Sequence, residues 1–229
     1  MGELIDTTQM YLRTIYELVE AGIDPRRARI VERLHQAGPT VSQTVARMER
    51  DGLLTLTNTR TIELTPDGFA ESRDVMRRHR LAECLIMNTI GLGFPEAHLE
   101  ACRWEHVVSE RVAEKIAVLL GNPRFTPYGT PLPRPSEAKI PSLDKYGVPL
   151  STAVGPGSLR AEFSLVDEHA QCDPEFLATM VVAGIKPGVD VTLSRKDEGF
   201  CLATDSGPDL SVPAGYGGSL RVRLPGEQE

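Results

Sequence analysis

The segment PTVSQTVARMERDG, residues 39–52, decides the fold of this chain. Proline is favoured in the first turn of a helix and glycine just beyond the last, so Pro39 and Gly52 bracket one helix. Small polar residues fill its start, where the second helix of a helix-turn-helix meets base edges, and arginines follow. The pattern therefore predicts a helix that reads DNA.

Two further helices are predicted before this segment. Apolar residues recur at helical spacing over residues 10–20, and Asp6 or Thr7 can cap that helix. A short basic helix follows over residues 26–35 and is closed by a turn that contains Gly38. Two short helices joined by a Gly-containing turn are typical of a helix-turn-helix.

A basic hairpin is predicted after the three helices. Two runs of strand-forming residues, 53–57 and 61–65, flank a turn that ends in Arg60. Residues 26–60 hold seven arginines against three acidic residues, a local balance of +4 in a chain whose net charge is −7. A basic patch indicates nucleic-acid binding even on a protein whose net charge is negative. The set predicts an N-terminal winged helix-turn-helix DNA-binding domain over residues 1–73.

A second segment, HLEACRWEH at residues 98–106, carries residue types that bind metals. If it is helical, His98, Cys102 and His106 line one stripe, and Glu105 lies beside the last two. Imidazole, thiolate and carboxylate together are ligands for a borderline divalent metal. A single helix-borne His and Glu pair is more often merely solvated, but this cluster predicts a metal site.

The long helix predicted from residue 66 to about residue 89 also carries residue types that bind metals. It carries His79 and Glu83, four residues apart and therefore on one face. With the helix or helix pair that bears residues 98–106, it predicts a helical metal-binding and dimerisation domain over residues 74–140, including a proline-rich linker.

The residue pattern of the chain changes after the helical region. Seven prolines between residues 123 and 149 predict a semi-extended linker. Five short runs of strand character follow, with one helical run over residues 174–183. They predict an SH3-like small β-barrel over residues 150–226. The fold class is therefore α+β, with a winged helix-turn-helix, a helical dimerisation domain and this barrel.

The bulk composition, 41% hydrophobic and 25% charged, is that of a soluble globular protein. No apolar run approaches the roughly 18 residues of a membrane span, and residues 1–6 lack the basic start of a signal peptide. The cysteines show no C-x-x-C spacing, so we expect reduced thiols at Cys84, Cys102, Cys172 and Cys201. These features predict a cytoplasmic protein.

The chain shares long stretches with one known family. They are DTTQMYLRTI (6–15), GPTVSQTVARMERDGL (38–53), MRRHRLAE (76–83) and EACRWEH (100–106). On these residues the chain resembles the diphtheria toxin repressor and iron-dependent regulator family of actinobacteria, closely over residues 4–133 and more weakly through the barrel. The resemblance implies a metal-activated, dimeric transcriptional repressor and not an enzyme.

The resemblance also implies roles for individual residues. It assigns a primary metal site to Met10, Cys102, Glu105 and His106. It assigns an ancillary metal site to His79, Glu83 and His98, completed by Glu168 and Gln171, which have the Glu-x-x-Gln spacing of the family. It assigns DNA contacts to Arg27, Ala28, Pro39, Thr40, Ser42, Gln43, Arg47, Arg50 and Arg60.

Three positions depart from the family pattern. Ala37 stands where relatives usually carry a serine that helps to read the operator. Thr126 and Thr130 stand where relatives tend to have serine and asparagine near a bound anion beside Arg80. The resemblance therefore carries neither the serine contact with the operator nor the serine and asparagine beside the anion over to these positions.

The sulfur donors point to the metal. Thioether and thiolate groups beside imidazole and carboxylate suit Fe²⁺, Co²⁺ or Ni²⁺ better than the hard Mn²⁺. By resemblance, the manganese-sensing branch of the family replaces these sulfur ligands with carboxylates. We expect two Fe²⁺ per chain, with Co²⁺, Ni²⁺, Mn²⁺ or Zn²⁺ substituting in vitro.

The expected action follows from where the ligands lie. Met10 belongs to the first helix of the DNA-reading domain, whereas Cys102, Glu105 and His106 belong to the helical body, so a metal ties the two parts together. The expected partner is a palindromic DNA operator of iron-uptake, siderophore or iron-homeostasis genes, bound by one homodimer or two, with no membrane partner.

Other interpretations stay open on the sequence. A regulator of the same family could respond to manganese or another metal. A zinc hydrolase could use the same His, Cys and Glu ligands, although no H-E-x-x-H signature is present. A winged-helix regulator with a purely structural cluster would bind the same DNA in the presence of a chelator.

Overall fold

The computed structural model describes residues 6–155 and 157–226. Residues 1–5, on which most of the signal-peptide prediction rests, lie outside the described residues. Within the described ranges, no helix combines the length and the apolar character needed to cross a membrane.

The first five elements form the predicted winged helix. Their bounds are α1 Thr7–Glu20, α2 Arg27–Leu34, α3 Gly38–Arg50, β1 Leu54–Leu56 and β2 Ile62–Leu64. Asp6 caps α1, since its carboxylate accepts from the backbone N–H groups of Thr8 and Gln9 at 2.8 and 3.2 Å. The strands β1 and β2 pair antiparallel, with Leu56 opposite Ile62, and the turn between them carries Arg60.

A single apolar core holds these elements together. It includes fully buried side chains from α1, α2, α3 and the hairpin, among them Tyr11, Ile15, Ile30, Val45 and Leu54. Burying a large apolar side chain contributes about 1.5–3 kcal/mol, so the core fixes where α3 and the hairpin tip stand. Their polar faces stay on the surface.

The middle of the chain is helical, with α4 Pro66–Leu85, α5 Phe94–Trp104 and α6 Glu110–Leu119. A π-helical turn, Ile86–Ile90, extends α4, and Gly91 ends it in the left-handed region at φ 86°. The predicted end near residue 89 is therefore confirmed.

The prediction that residues 98–106 form one helical stripe is wrong at its end. The helix α5 stops at Trp104, and residues 105–107 form a turn in which the N–H groups of Val107 and Val108 both donate to the Trp104 carbonyl. The cause is local, because Ser109 caps the next helix by accepting from the Val112 N–H. Glu105 and His106 are thus presented by a turn.

The proline-rich segment combines extended stretches with turns and a short 3-10 helix, Leu143–Tyr146, and part of it lies on α4. Arg77 Nη1 donates to the Pro133 carbonyl at 2.7 Å, and Arg73 Nη1 donates to the Glu137 carbonyl at 3.4 Å. Two arginines of α4 therefore anchor this stretch of linker.

A small antiparallel β domain ends the chain, in keeping with the predicted SH3-like domain. Its elements are β3 Val148–Pro149, α7 Leu150–Ala153, β4 Ser158–Val166, α8 Glu168–Gln171, α9 Pro174–Val182, β5 Asp190–Lys196, β6 Gly199–Ala203, β7 Leu210–Pro213 and β8 Leu220–Arg223. The six strands pair in the order β3-β8-β4-β5-β6-β7. Five of them were predicted; the two-residue β3 was not, since a proline-containing pair gives no strand pattern.

The described residues divide into two compact units. The first comprises residues 6–82, 101–122 and 132–142, and it contains the winged helix with most of α4 and all of α6. The second comprises residues 83–100, 123–131 and 143–226, and it contains the β domain.

Candidate metal centres and DNA-binding surface

The first unit contains a group of side chains around Glu105, which we call the Glu105 cluster: the predicted ligands Met10, His79, Cys102, Glu105 and His106, together with Arg13. A guanidinium nitrogen lies at its centre. Arg13 Nη1 is 2.8 Å from Glu105 Oε2, 3.1 Å from Cys102 Sγ and 3.0 Å from His79 Nδ1. Three atoms of metal-ligand type thus already converge on one positive group.

Charge shifts the pKa values inside this cluster. Burial alone would raise the pKa of Glu105, but Arg13, with help from His79 and His106, lowers it to about 2. Burial lowers the pKa of Arg13, yet the negative groups of Cys102, Glu105 and Glu17 outweigh it and raise that pKa well above its usual range. The cluster therefore holds a buried anion and a buried cation together.

Two more predicted ligands lie at the edge of the cluster. His106 places Nε2 at 3.4 Å from Glu105 Oε1, and its Nδ1 lies 3.1 Å from the side-chain oxygen of Gln9. Met10 is half-buried on α1, three residues before Arg13 and thus on the same face of that helix. The structure accordingly brings Cys102, Glu105 and His106 together and places Met10 on the helix that faces them.

His79 takes a position that links the two predicted sites. The resemblance assigns it to a site with Glu83 and His98, yet its Nδ1 lies 2.7 Å from Glu105 Oε2, a carboxylate assigned to the primary site. A metal-binding histidine commonly hydrogen-bonds a carboxylate through its other ring nitrogen, which orients the ring. The contact is compatible with metal ligation through Nε2.

The donor set of the Glu105 cluster fits a divalent cation. A thiol, a buried carboxylate of low pKa and an imidazole surround one cationic nitrogen within hydrogen-bond distance. The low pKa keeps Glu105 ionised at neutral pH, as a metal ligand must be. Sulfur and nitrogen donors in one set favour a borderline metal over a hard one.

The second unit contains a further group of side chains, which we call the His98 cluster: Glu83, His98, Glu168, Gln171 and Cys172. Its first contact is between Glu83 Oε1 and His98 Nδ1, at 3.0 Å, and both residues are fully buried. Glu168 and Gln171 are also buried, at 2% and 0% exposure, and both belong to α8. Four of the predicted ancillary ligands therefore lie in one unit.

The sequence interpretation missed two residues. Arg13 lies in the stretch DTTQMYLRTI (6–15), but nothing in its spacing shows that it meets Glu105, 92 positions away. Cys172 follows the predicted ligand Gln171 directly, and its Sγ lies 3.4 Å from His98 Nε2. That adjacency was a signal, because thiolate sulfur is itself a metal ligand.

Arg80, beside which the family pattern places an anion, is held by a carboxylate. Its Nη1 and Nη2 lie 2.9 and 2.5 Å from the two carboxylate oxygens of Glu20, and both side chains are fully buried. In the second unit, the hydroxyls of Thr126 and Thr130 hydrogen-bond each other at 2.8 Å.

The residues predicted to contact DNA all lie in the winged helix. Seven of the nine are exposed, namely Ala28, Pro39, Thr40, Gln43, Arg47, Arg50 and Arg60, and Arg27 and Ser42 are half-buried. Arg60 adopts a left-handed conformation at φ 61° in the tip of the hairpin. The exposed set on α3 and the basic tip have the character of a surface that binds nucleic acid.

Comparison with known proteins finds relatives over most of the chain. Residues 3–62 match the family model of the iron dependent repressor N-terminal DNA binding domain, and residues 65–134 match that of its metal binding and dimerisation domain. The iron-dependent repressor IdeR of Mycobacterium tuberculosis is 47% identical over 203 residues, covering 87% of this chain and 88% of that protein. The diphtheria toxin repressor of Corynebacterium diphtheriae is 41% identical over 232 residues, covering 97% and 99%.

Solved structures show the same fold. A manganese-dependent transcriptional repressor in complex with manganese aligns with a TM-score of 0.80 at 22% identity, covering 95% of this chain and 100% of that one. The IdeR of T. acidophilum aligns with a TM-score of 0.75 at 22% identity, covering 96% and 98%. The α+β fold class is confirmed, and the chain belongs to the iron-dependent repressor family, which includes the diphtheria toxin repressors.

Proposed function

We propose that this chain is an Fe²⁺-activated transcriptional repressor that binds palindromic operators as a homodimer. The observation that carries the proposal is the Glu105 cluster, in which a thiol, a carboxylate and an imidazole converge on one cation. That cluster includes α1, a helix of the winged helix, so its occupancy bears directly on the part that reads DNA.

In this proposal Met10, Cys102, Glu105 and His106 hold the activating metal, which supplies positive charge between α1 and the turn after α5. The protein's own part is to keep Glu105 ionised and to orient its donors. The sulfur atoms of Met10 and Cys102 favour Fe²⁺ over Mn²⁺. Manganese is the second candidate, since a repressor of the same fold is described with manganese.

The ancillary site is proposed to consist of His79, Glu83, His98, Glu168 and Gln171, which gives two metals per chain. Buried carboxylate, imidazole and amide groups in the second unit support it. Because ions bind these groups only in the folded arrangement, occupancy would stabilise that arrangement. We retain the predicted division into residues 1–73, 74–140 and 150–226 as part of the proposal.

Dimerisation is supported by apolar side chains left on the surface of the first unit. Val107, Val112, Val118 and Leu119 are 66, 48, 67 and 67% exposed. Apolar side chains exposed together often mark a protein interface. A twofold dimer would present two winged helices to an inverted repeat, with half-sites about one or more helical turns apart, and one or two dimers could occupy the operator.

In this proposal, α3 reads bases and the hairpin tip contacts the phosphate backbone or the minor groove. Gln43 is exposed on α3 and has the geometry to read a base edge, whereas Arg60 is suited to the phosphate backbone or the minor groove. Arg60→Ala should then weaken binding to all sequences alike and flatten the salt dependence. Gln43→Ala should instead relax base preference, and an unchanged preference would refute its role as a reader.

An anaerobic gel shift with operator DNA, titrated with Fe²⁺, Co²⁺, Ni²⁺ and Mn²⁺, tests the proposal. We expect metal-dependent, salt-sensitive binding that Fe²⁺ induces at a lower concentration than Mn²⁺. Cys102→Ala should lose most of the metal response while remaining folded and dimeric; an undiminished response would refute the assigned site. Binding that persists with a chelator would instead support a purely structural cluster. The hydrolase alternative has no support, since the matched relatives are named repressors.

A further inference from the structure

One thiol in the second unit has no role in the assigned sites. Cys172 Sγ lies 3.4 Å from His98 Nε2, and the other nitrogen of the same ring, Nδ1, lies 3.0 Å from Glu83 Oε1. The imidazole therefore stands between a carboxylate and a sulfur atom. When Nδ1 donates to the carboxylate, Nε2 keeps its lone pair on the side of Cys172.

The position of Cys172 is fixed by the short helix α8. Its N–H donates to the Glu168 carbonyl at 3.2 Å, so the helical turn continues to residue 172. Residues three and four apart on a helix lie on one face, which places Gln171 and Cys172 with Glu168. Asp167 holds the start of the helix by accepting from the N–H groups of His169 and Ala170.

The neighbouring Gln171 gives an independent sign of a ligand. Its Nε2 donates to the Val166 carbonyl at 2.7 Å, which fixes the orientation of the amide. Its Oε1 belongs to a fully buried side chain and has no hydrogen-bond partner among the described residues. A buried acceptor without a donor destabilises the folded protein, and a cation would satisfy it.

The spacing of nitrogen and sulfur also matches a shared metal. Bonds of about 2.0–2.1 Å to nitrogen and about 2.3 Å to sulfur, at a tetrahedral angle, place the two donor atoms about 3.5 Å apart. The separation of Cys172 Sγ and His98 Nε2 is 3.4 Å. Both atoms can therefore bind one ion with little movement of either side chain.

We propose that Cys172 is a thiolate ligand of the ancillary metal, beside His98 and with Gln171 Oε1 as an oxygen donor. The inference rests on the ancillary site proposed above and changes its chemistry from nitrogen and oxygen donors to a set that includes sulfur. On binding, the thiol gives up its proton to solvent and the metal–sulfur bond forms. A thiolate shifts the preference of the site from Mn²⁺ towards Fe²⁺, Co²⁺ and Zn²⁺.

The test uses Co²⁺ as the probe, because a thiolate bound to Co²⁺ gives a near-ultraviolet charge-transfer band. The background is the full-length Cys102→Ala protein, which removes the thiol of the primary site. We expect this variant to bind Co²⁺ with a thiolate band and to lose the band when Cys172→Ser is added. Cys102→Ala with Cys201→Ser is the matched control and should keep it.

Equilibrium dialysis of the same variants separates the two proposals. Cys172→Ser should weaken Co²⁺ binding at the ancillary site at least about tenfold, because loss of a ligand exceeds the effect of loss of a supporting group. It should leave Mn²⁺ binding nearly unchanged. One outcome would overturn the role of Cys172 alone: His98→Ala removes the ancillary Co²⁺, but the Cys102→Ala protein shows no thiolate band when Co²⁺ is bound. Cys172 would then be only a hydrogen-bond partner of His98. If His98→Ala changes no metal count, the ancillary site itself is refuted.

Discussion

The Glu105 cluster and the His98 cluster contain the same three kinds of ligand and arrange them differently. In the first, Arg13 Nη1 lies between a carboxylate, a thiol and an imidazole, at 2.8–3.1 Å. In the second, the imidazole of His98 contacts a carboxylate on one side and a thiol on the other. The first cluster thus carries its own cation, whereas the second is a chain of donors and acceptors.

This difference separates the expected metal responses. A buried carboxylate needs a partner charge, and Arg13 supplies one to Glu105 without any metal. A metal ion that enters the Glu105 cluster must compete with that guanidinium, which raises the concentration at which it binds. Metal entering the His98 cluster displaces protons and hydrogen bonds instead. The two clusters should therefore respond at different concentrations and with different pH dependence.

Substituting Arg13 is expected to have the largest effect. Arg13→Met removes the buried partner of Glu105, at 2.8 Å, and of Glu17, at 3.0 Å. Breaking a buried pair costs about 3–5 kcal/mol, so we expect the metal-free protein to unfold at a clearly lower temperature. Added Co²⁺ should restore more stability than it adds to the unsubstituted chain, because no guanidinium then has to move. Calorimetry with and without Co²⁺ measures both effects.

An exposed ion pair provides the control for that experiment. Arg26 Nη2 lies 3.2 Å from Asp24, with side chains 52 and 71% exposed. Arg26→Met should change stability by less than about 1 kcal/mol and leave the Co²⁺ response unchanged. If Arg13→Met behaves in the same way, Arg13 does not provide the counter-charge and the contrast between the clusters fails.

Local pattern predicted much of the first unit. The Asp6 cap, the helix bounded by Pro39 and Gly52, and the hairpin with Arg60 at its tip all follow from signals within a few residues. The turn at Glu105 was missed because the Ser109 cap, a local signal, was outweighed by the apparent helical spacing of His98, Cys102 and His106. Such spacing describes a helix only where the helix persists.

Contacts between distant segments were not predictable in the same way. The interaction of Arg13 with Cys102 joins residues 89 positions apart, and that of Cys172 with His98 joins residues 74 positions apart. Periodicity says which face a residue occupies and not which element meets it. The family pattern supplied the ligands of the two sites, but it could not supply residues that lie outside that pattern, such as Cys172.

An intermediate effect is expected from the two ligands on α8. Replacing Glu168 and Gln171 together by Ala removes buried oxygen donors from the His98 cluster only. We expect the metal titration of operator binding to shift by about tenfold, with maximal DNA occupancy nearly unchanged. Glu175→Ala, an exposed change on α9, is the control. A double variant that titrates like the unsubstituted protein would show that the His98 cluster does not contribute to activation.

The smallest expected effect concerns the hydrogen bond between Tyr216 and Asp173, the residue that follows Cys172 in the chain. The Tyr216 hydroxyl donates to the Asp173 carboxylate at 2.8 Å, and Asp173 also caps α9 by accepting from the Phe176 N–H at 3.0 Å. Partial burial, followed by the bond to Asp173, raises the pKa of Tyr216 to about 12.

Because this pKa is raised by folding, its contribution to stability is fully present below about pH 10, the ordinary tyrosine value, and is lost as pH rises through about 12. Tyr216→Phe should therefore remove a small pH dependence of unfolding in that window, and Asp173→Asn should keep the helix cap while lowering the pKa of Tyr216 towards 10. Carbon NMR of labelled tyrosine measures the pKa directly. Since Asp173 follows Cys172 in the chain, both variants should slightly weaken Co²⁺ binding at the His98 cluster. The Cys102-dependent Co²⁺ response should change less, and an equal change in both responses would show that the effect does not arise at α8.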